Sequence, residues 1–171
     1  MMLIRQATVA DAGLVAHLGR KSFLESHGHS ASPKDIEFYV STQLSVRVIR
    51  QELSNRKYIF HIIYYQRQPA GYSKIIFNEL HTPLQPSVAK LERLYLLEGF
   101  HNLKLGLRLL KFLVILCRQK KQEGMWLFVW KENERAIGFY KQFGFEVAGT
   151  ADFKISDAHS NPNYSMLLTL E

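Results

Sequence analysis

The sequence predicts an α/β or α+β fold, a mixed and mostly antiparallel sheet flanked by helices. Two observations carry this. The order of elements reads roughly β α α α β β β α β α β β, and strands predominate around two long helical segments. The 171 residues contain no internal repeat and no Pro/Gly/Ser-rich linker, so residues 1–171 are expected to form one domain with a proper hydrophobic core.

Met2–Ala7 reads as a first strand. Thr8 offers an N-cap with Asp11 as its box-like partner, and Asp11–Phe23 reads as a helix. His27–Pro33 is a small-residue loop, and Pro33–Leu44 and Ser45–Leu53 read as two more helices, the second capped by Ser45. Lys57–Tyr65 and Pro69–Glu79 are rich in β-branched and aromatic residues, and the separator Gln-Arg-Gln-Pro suggests a hairpin. Lys90–Leu97 is a further strand, Leu105–Gln122 a helix and Met125–Val129 a strand. Asn133–Phe143 is a short helix closed by Gly144. Val147–Ile155 and Tyr164–Leu170 read as terminal strands around a turn-rich loop, Asp157–Asn163.

Composition narrows the class. Apolar residues make up 47% and charged residues 22%, an ordinary soluble balance. The lone Cys117 rules out an internal disulfide and a zinc cluster, lies in an apolar helical run, and reads as a buried, inert thiol in a reducing cytosol. No metal site is expected. The N-terminus has no sustained apolar stretch of the signal-peptide kind, and Leu105–Cys117 is interrupted by Arg108 and Lys111, so a soluble, cytoplasmic protein without membrane attachment is expected. The net charge of +7 favours an anionic partner or serves solubility, and no nucleic-acid-binding signature accompanies it.

Two segments carry chemistry. The first is Leu91–Leu97 followed by the turn His101–Gly106 and an apolar helix start. A helix N-terminus offers free N–H groups to a phosphate, and glycines let the backbone approach closely. Here only Gly106 is a glycine; Asn102 suits a left-handed conformation, whereas Lys104 suits it poorly. Lys104, Arg108 and Lys111 are spaced to share a helical face, which opposes the helix dipole unless an anion sits there. Taken alone, this turn reads rather as a solvated basic face with an ordinary connection. In the second segment Asn133, Ile137 and Tyr140 share a face; Asn133 also fits an N-cap and Tyr140 a core aromatic.

Together the segments resemble the acetyl-CoA-binding core of the GNAT superfamily of N-acetyltransferases. The family pattern N-x-x-A-x-x-x-Y-x-x-x-G-F is matched in full by Asn133, Ala136, Tyr140, Gly144 and Phe145. Ile4–Gly13 resembles the usual family opening, so the resemblance covers nearly the whole chain. The segments Leu91–Phe100, Val129–Gly149 and Asn163–Leu170 are similar to the PaiA-like branch, whose members acetylate polyamines. The phosphate loop departs from the family: His101 stands where Gln or Arg is usual, and Asn102 and Lys104 replace common glycines.

The resemblance implies a twisted sheet with a splayed central strand pair and direct attack of a primary amine on acetyl-CoA, with a small polyamine-like acceptor. It implies cofactor binding by the strand residues Leu94, Tyr95 and Leu96, by the turn residues His101, Asn102, Leu103, Lys104, Leu105, Gly106 and Leu107, and by Asn133 and Tyr140. Tyr140 is the expected donor to the departing sulfur, and Glu92 the expected base, although an alternating strand also allows Glu92 as a plain surface residue. His27, His29 and His101 have suitable unperturbed pKa values, but their spacing singles none out. The acceptor is expected under the helices of residues 10–55 and the loop near 79–87, with Glu25, Asp35, Glu37 and Glu79 as attracting charges. Other amines such as peptide N-termini, and a non-catalytic acyl-CoA-binding protein, are the alternatives. A monomer or homodimer is expected, with no nucleic-acid partner.

Overall fold

The computed structural model describes residues 1–81 and 87–171. Among these the chain order is β1 (Met2–Gln6), α1 (Ala12–His27), α2 (Pro33–Gln43), α3 (Val46–Ser54), β2 (Ile59–Tyr65), β3 (Gln68–Ile76), β4 (Val88–Leu96), α4 (Leu105–Gln119), β5 (Gly124–Trp130), α5 (Glu134–Phe143), β6 (Glu146–Lys154) and β7 (Ser160–Thr169). The strands form one sheet in the order β1-β2-β3-β4-β5-β7-β6. Only β4 and β5 run parallel; all other neighbours are antiparallel. The mixed, mostly antiparallel sheet read from the sequence is the one that forms.

Local chemistry explains the ends of the elements. Thr8 and Asp11 form the capping box, but around a short 3₁₀ turn, Val9–Asp11, so that α1 begins one residue later. Arg5 holds Asp11 in a two-pronged ion pair, and that hydrogen-bonded guanidinium lowers the Asp11 carboxyl to about 2. Ser32 and Ser45 cap α2 and α3 through side-chain oxygens that accept backbone N–H bonds. Gln66 and Arg67 both have positive φ, which is the two-residue turn that matches the twist of the β2–β3 hairpin.

Several boundaries differ from the sequence reading, and three of them have a clear cause. Helix α1 runs on past Phe23 to His27, the first residue of the expected loop, whose ring stacks on Phe23 one turn earlier at 5.0 Å. Helix α4 stops at Gln119, because Lys121 turns left-handed and the Gln122 side chain pairs with Asn78. Strand β7 starts at Ser160 rather than Tyr164, because buried Asn161 and Asn163 pair with β6, which shortens the turn-rich loop.

The core lies on both faces of the sheet. One cluster packs Leu105, Leu109, Leu110 and Leu113 of α4 and Tyr140 of α5 against Leu91, Met125, Leu127 and Met166. The other packs Val15, Leu18 and Phe23 of α1, with α2 and α3, against Phe60, Ile62 and Tyr72. Cys117 is fully buried in the first cluster, and burial pushes its thiol up to about 12. No described helix is long and apolar enough to cross a membrane.

Candidate active site

A groove of about 1420 Å³ opens where β4 and β5 part. The two strands pair only over Val88–Lys90 and Gly124–Trp126, and beyond that point both line the groove. The direction of the free amides follows from one hydrogen bond. The Leu97 N–H donates to Ala70 O on β3, and successive amides of a strand point to opposite sides. The N–H groups of Leu94 and Leu96 therefore point away from β3, into the gap. Gly71 keeps β4 in place from behind, because a Cβ there would lie 2.2 Å from the Tyr95 carbonyl oxygen.

The turn after β4 leads to the second set of donors. Asn102 and Lys104 both take left-handed backbone, with φ 66 and 57. For Asn102 this is the expected conformation; Lys104 adopts it despite its side chain. Together they aim the N-terminus of α4 at the groove, and the amides of Leu105, Gly106 and Leu107 come before the first i→i−4 bond, Arg108 N–H to Lys104 O. The residues His101, Asn102, Lys104, Leu105, Gly106 and Leu107 line the groove, whereas Leu103 does not and is exposed. Of the three cations expected on one face, Lys104 and Lys111 reach the groove and Arg108 does not.

His101 is engaged elsewhere. Arg135 donates to its Nδ1, so Nε2 carries the proton and donates to Leu96 O at 3.2 Å. The ring thus ties the end of β4 to the start of α5, and Arg135, like Lys104, lines the groove. Sequence reasoning missed Arg135, because its importance lies in a contact 34 residues away.

Asn133 is the N-cap of α5: its Oδ1 accepts from the Ala136 N–H at 3.2 Å, and its amide nitrogen, beside the groove, bonds to no described residue. Tyr140 is buried between Phe139 and Phe145, yet it lines the groove, and its hydroxyl bonds to no described residue. Burial raises its pKa well above the ordinary phenol value, so the hydroxyl is a proton-bearing donor at neutral pH.

The opposite wall is built on a β-bulge. Lys74 pairs with Arg93 and Ile75 with Leu91, so Glu92 is the extra residue of β4. Glu92 and buried Arg93 line the groove above a charge cluster. Lys74 bridges Glu52 at 2.9 Å and Glu92 at 2.8 Å, and Arg93 lies 3.6 Å from Glu52. Burial alone would raise the Glu92 carboxyl, but Lys74, with Arg93 and Lys90, outweighs it and holds Glu92 below its ordinary value. Phe23, His27, Tyr39, Tyr95, Trp130 and Phe153 complete this wall.

Of the acidic residues expected around the acceptor, Glu25 lines the groove and accepts from the Glu98 N–H. Asp35, Glu37 and Glu79 do not line it. Asp35 instead accepts from Ser156, and Glu79 pairs with Lys57. Part of the acceptor loop expected near 79–87, residues 82–86, lies outside the described residues.

A parted parallel strand pair with inward amides, a helix N-terminus flanked by cations, and a buried phenol define the class of acyl-transferring enzymes. Comparison with known proteins agrees. Residues 22–145 match the model of the acetyltransferase (GNAT) family. The chain belongs to this family of N-acetyltransferases. It is 26% identical to an uncharacterized N-acetyltransferase of Lactobacillus delbrueckii subsp. lactis, over 82% of each chain. Among solved structures it is similar to the PaiA N-acetyltransferase from Thermoplasma acidophilum in complex with coenzyme A (TM-score 0.81, 20% identity, 99% of each chain). It is also similar to the ribosomal-protein-alanine N-acetyltransferase from Brucella melitensis (TM-score 0.75, 20% identity, 98% of this chain and 99% of that one).

Proposed function

We propose that residues 1–171 act as one catalytic unit that transfers acetyl from acetyl-CoA to a primary amine of a small polyamine-like acceptor. The observation that carries this reading is the unpaired inner edge of β4, continued by the N-terminus of α4. Inward amides at Leu94 and Leu96 suit the amide-bearing pantetheine arm, and the α4 amides with Lys104, Lys111 and Arg135 suit the diphosphate. That the Thermoplasma protein holds coenzyme A supports the same use of the same fold. When bound, acetyl-CoA supplies an activated acyl group on a thiol leaving group.

The chain's own residues do the rest. The Leu96 N–H, fixed by the pairing of β4 with β3, donates to a carbonyl oxygen placed in the gap and stabilises charge developing there. The Tyr140 hydroxyl donates to sulfur; burial makes it a firm hydrogen-bond donor rather than a strong acid. Asn133 offers its amide nitrogen to the pantetheine or diphosphate region. On the other wall, the rings of Phe23, Tyr39 and Trp130 and the carboxylates of Glu25 and Glu92 receive an ammonium group. Glu92, kept ionised by Lys74, draws that ammonium in and takes its proton through water before attack.

The test is release of free coenzyme A with a panel of acceptors: spermidine, putrescine, glucosamine and an alanyl peptide. Turnover fastest on spermidine or putrescine is expected. Turnover on the alanyl peptide alone would overturn the polyamine assignment while leaving the transferase reading intact.

A further inference from the structure

We infer that His27, resting on the reading above, is the group in direct contact with the acceptor nitrogen and takes its second proton during acetyl transfer. The last residue of α1 bridges the splay: its ring lies 6.1 Å from Tyr95 on β4, edge-on, and 5.6 Å from Trp130 on β5. It is the imidazole that touches both strands where they part.

We assign the ring the Nδ1–H tautomer. Ser26 Oγ lies 2.8 Å from the Ser22 carbonyl oxygen, which can only accept, and 2.6 Å from His27 Nδ1. With the hydroxyl proton directed at the carbonyl, Nδ1–H donates to Oγ. Nε2 is left with a free lone pair, bonds to no described residue and belongs to a ring that lines the groove. Phe23 stacks on the ring 3° from parallel and fixes its plane. A lone pair of fixed direction, on a ring held by stacking and by a relay to a buried carbonyl, is how a base is positioned in a site. Burial, with a smaller contribution from His29, lowers the ring to about 4, so it stays unprotonated when a cationic acceptor arrives. The titratable groups around it are His29 just beyond α1, Tyr39 on α2 and Tyr95 on β4, with Glu25 and Glu92 on the groove wall.

The step balances within the groove. The amine lone pair forms the C–N bond, and the C–S electron pair leaves with sulfur. Nitrogen becomes strongly acidic as it turns into an amide, so an imidazole of low basicity suffices to take its proton at Nε2. Sulfur leaves as a thiolate hydrogen-bonded to the Tyr140 hydroxyl, which keeps its proton, and the proton on His27 passes to sulfur through solvent.

The test uses His27→Phe, which keeps the stack on Phe23, and His27→Ala, each assayed with acetyl-CoA and the fastest amine of the panel. Turnover should fall about 100-fold in both, with the acetyl-CoA KM unchanged, and added imidazole should restore His27→Ala but not His27→Phe. Imidazole ¹⁵N NMR of the protein alone supplies a readout free of activity: the His27 ring should be neutral and protonated at Nδ1 at pH 6. Wild-type turnover with an equally active His27→Phe would overturn this inference alone, as would an Nε2–H tautomer. A wild type inactive on every panel amine would overturn the transferase reading as well.

Discussion

Gly71→Ala is the substitution whose effect can be worked most directly from the structure. Gly71 pairs with Leu96 across β3 and β4, at the point where β4 turns its inner edge to the groove. An added Cβ would sit 2.2 Å from Tyr95 O, 2.6 Å from Leu96 Cδ2 and 3.0 Å from Leu96 Cα. Two of these three atoms are backbone, so relief requires β4 itself to move toward the gap. Overpacking of this kind costs about 2–3 kcal/mol. For a chain of this length that lowers the melting temperature by roughly 4–12 °C. The Leu96 N–H would shift with the strand, so acetyl-CoA affinity should fall too. Gly106→Ala is the control: its Cβ would meet only Leu96 Cδ1 at 3.5 Å and Phe139 Cζ at 3.8 Å, both ordinary contacts. In the first turn of α4 it should leave stability unchanged or raise it by up to about 1 kcal/mol. Differential scanning of both variants is the assay. A Gly71→Ala protein that melts with the wild type would refute the claim that this glycine sets the position of β4.

Tyr140→Phe removes a hydroxyl that bonds to no described residue, so melting should be unchanged; kcat should fall at least about tenfold with the acetyl-CoA KM constant in steady-state assays. Lys104→Gly suits the φ of 57 and removes one cation, so titration at low salt should show acetyl-CoA binding weakened roughly two- to fivefold, a difference that closes as salt is added. His61 is buried on β2, with Nδ1 unpaired among the described residues and its ring edge-on to Phe112, and burial lowers it to about 4. Between that value and its unfolded value near 6.5 the unfolded chain binds the extra proton, so stability falls as pH drops through this window, by roughly 3 kcal/mol at full protonation. Urea melts of His61→Phe should show a shallower pH dependence than wild type over that range.

Much of the fold was legible because periodicity and capping agree. The box at Thr8 and Asp11, the serine cap at 45 and Gly144 closing α5 (φ 117) are local signals, and each appears where the sequence puts it. The misread ends rest on side-chain pairings that propensity does not report: the His27 ring stacks on Phe23 one turn earlier in α1, and Asn161 is strand because β6 pairs with it. The candidate site divides in the same way. Its cofactor side follows from contiguous segments, Leu94–Leu107 and Asn133–Tyr140. Its acceptor side does not, since the Lys74–Glu92 bridge needs a bulge, Arg135 reaches His101 across the fold, and Asp35 spends its charge on Ser156. Such pairings have no spacing to betray them.

The central claim is that the parted β4–β5 edge binds acetyl-CoA. Calorimetric titration of the protein with acetyl-CoA tests it most directly. Saturable binding of one molecule per chain, weakened in Gly71→Ala, is the predicted result; no heat at millimolar acetyl-CoA would contradict the account.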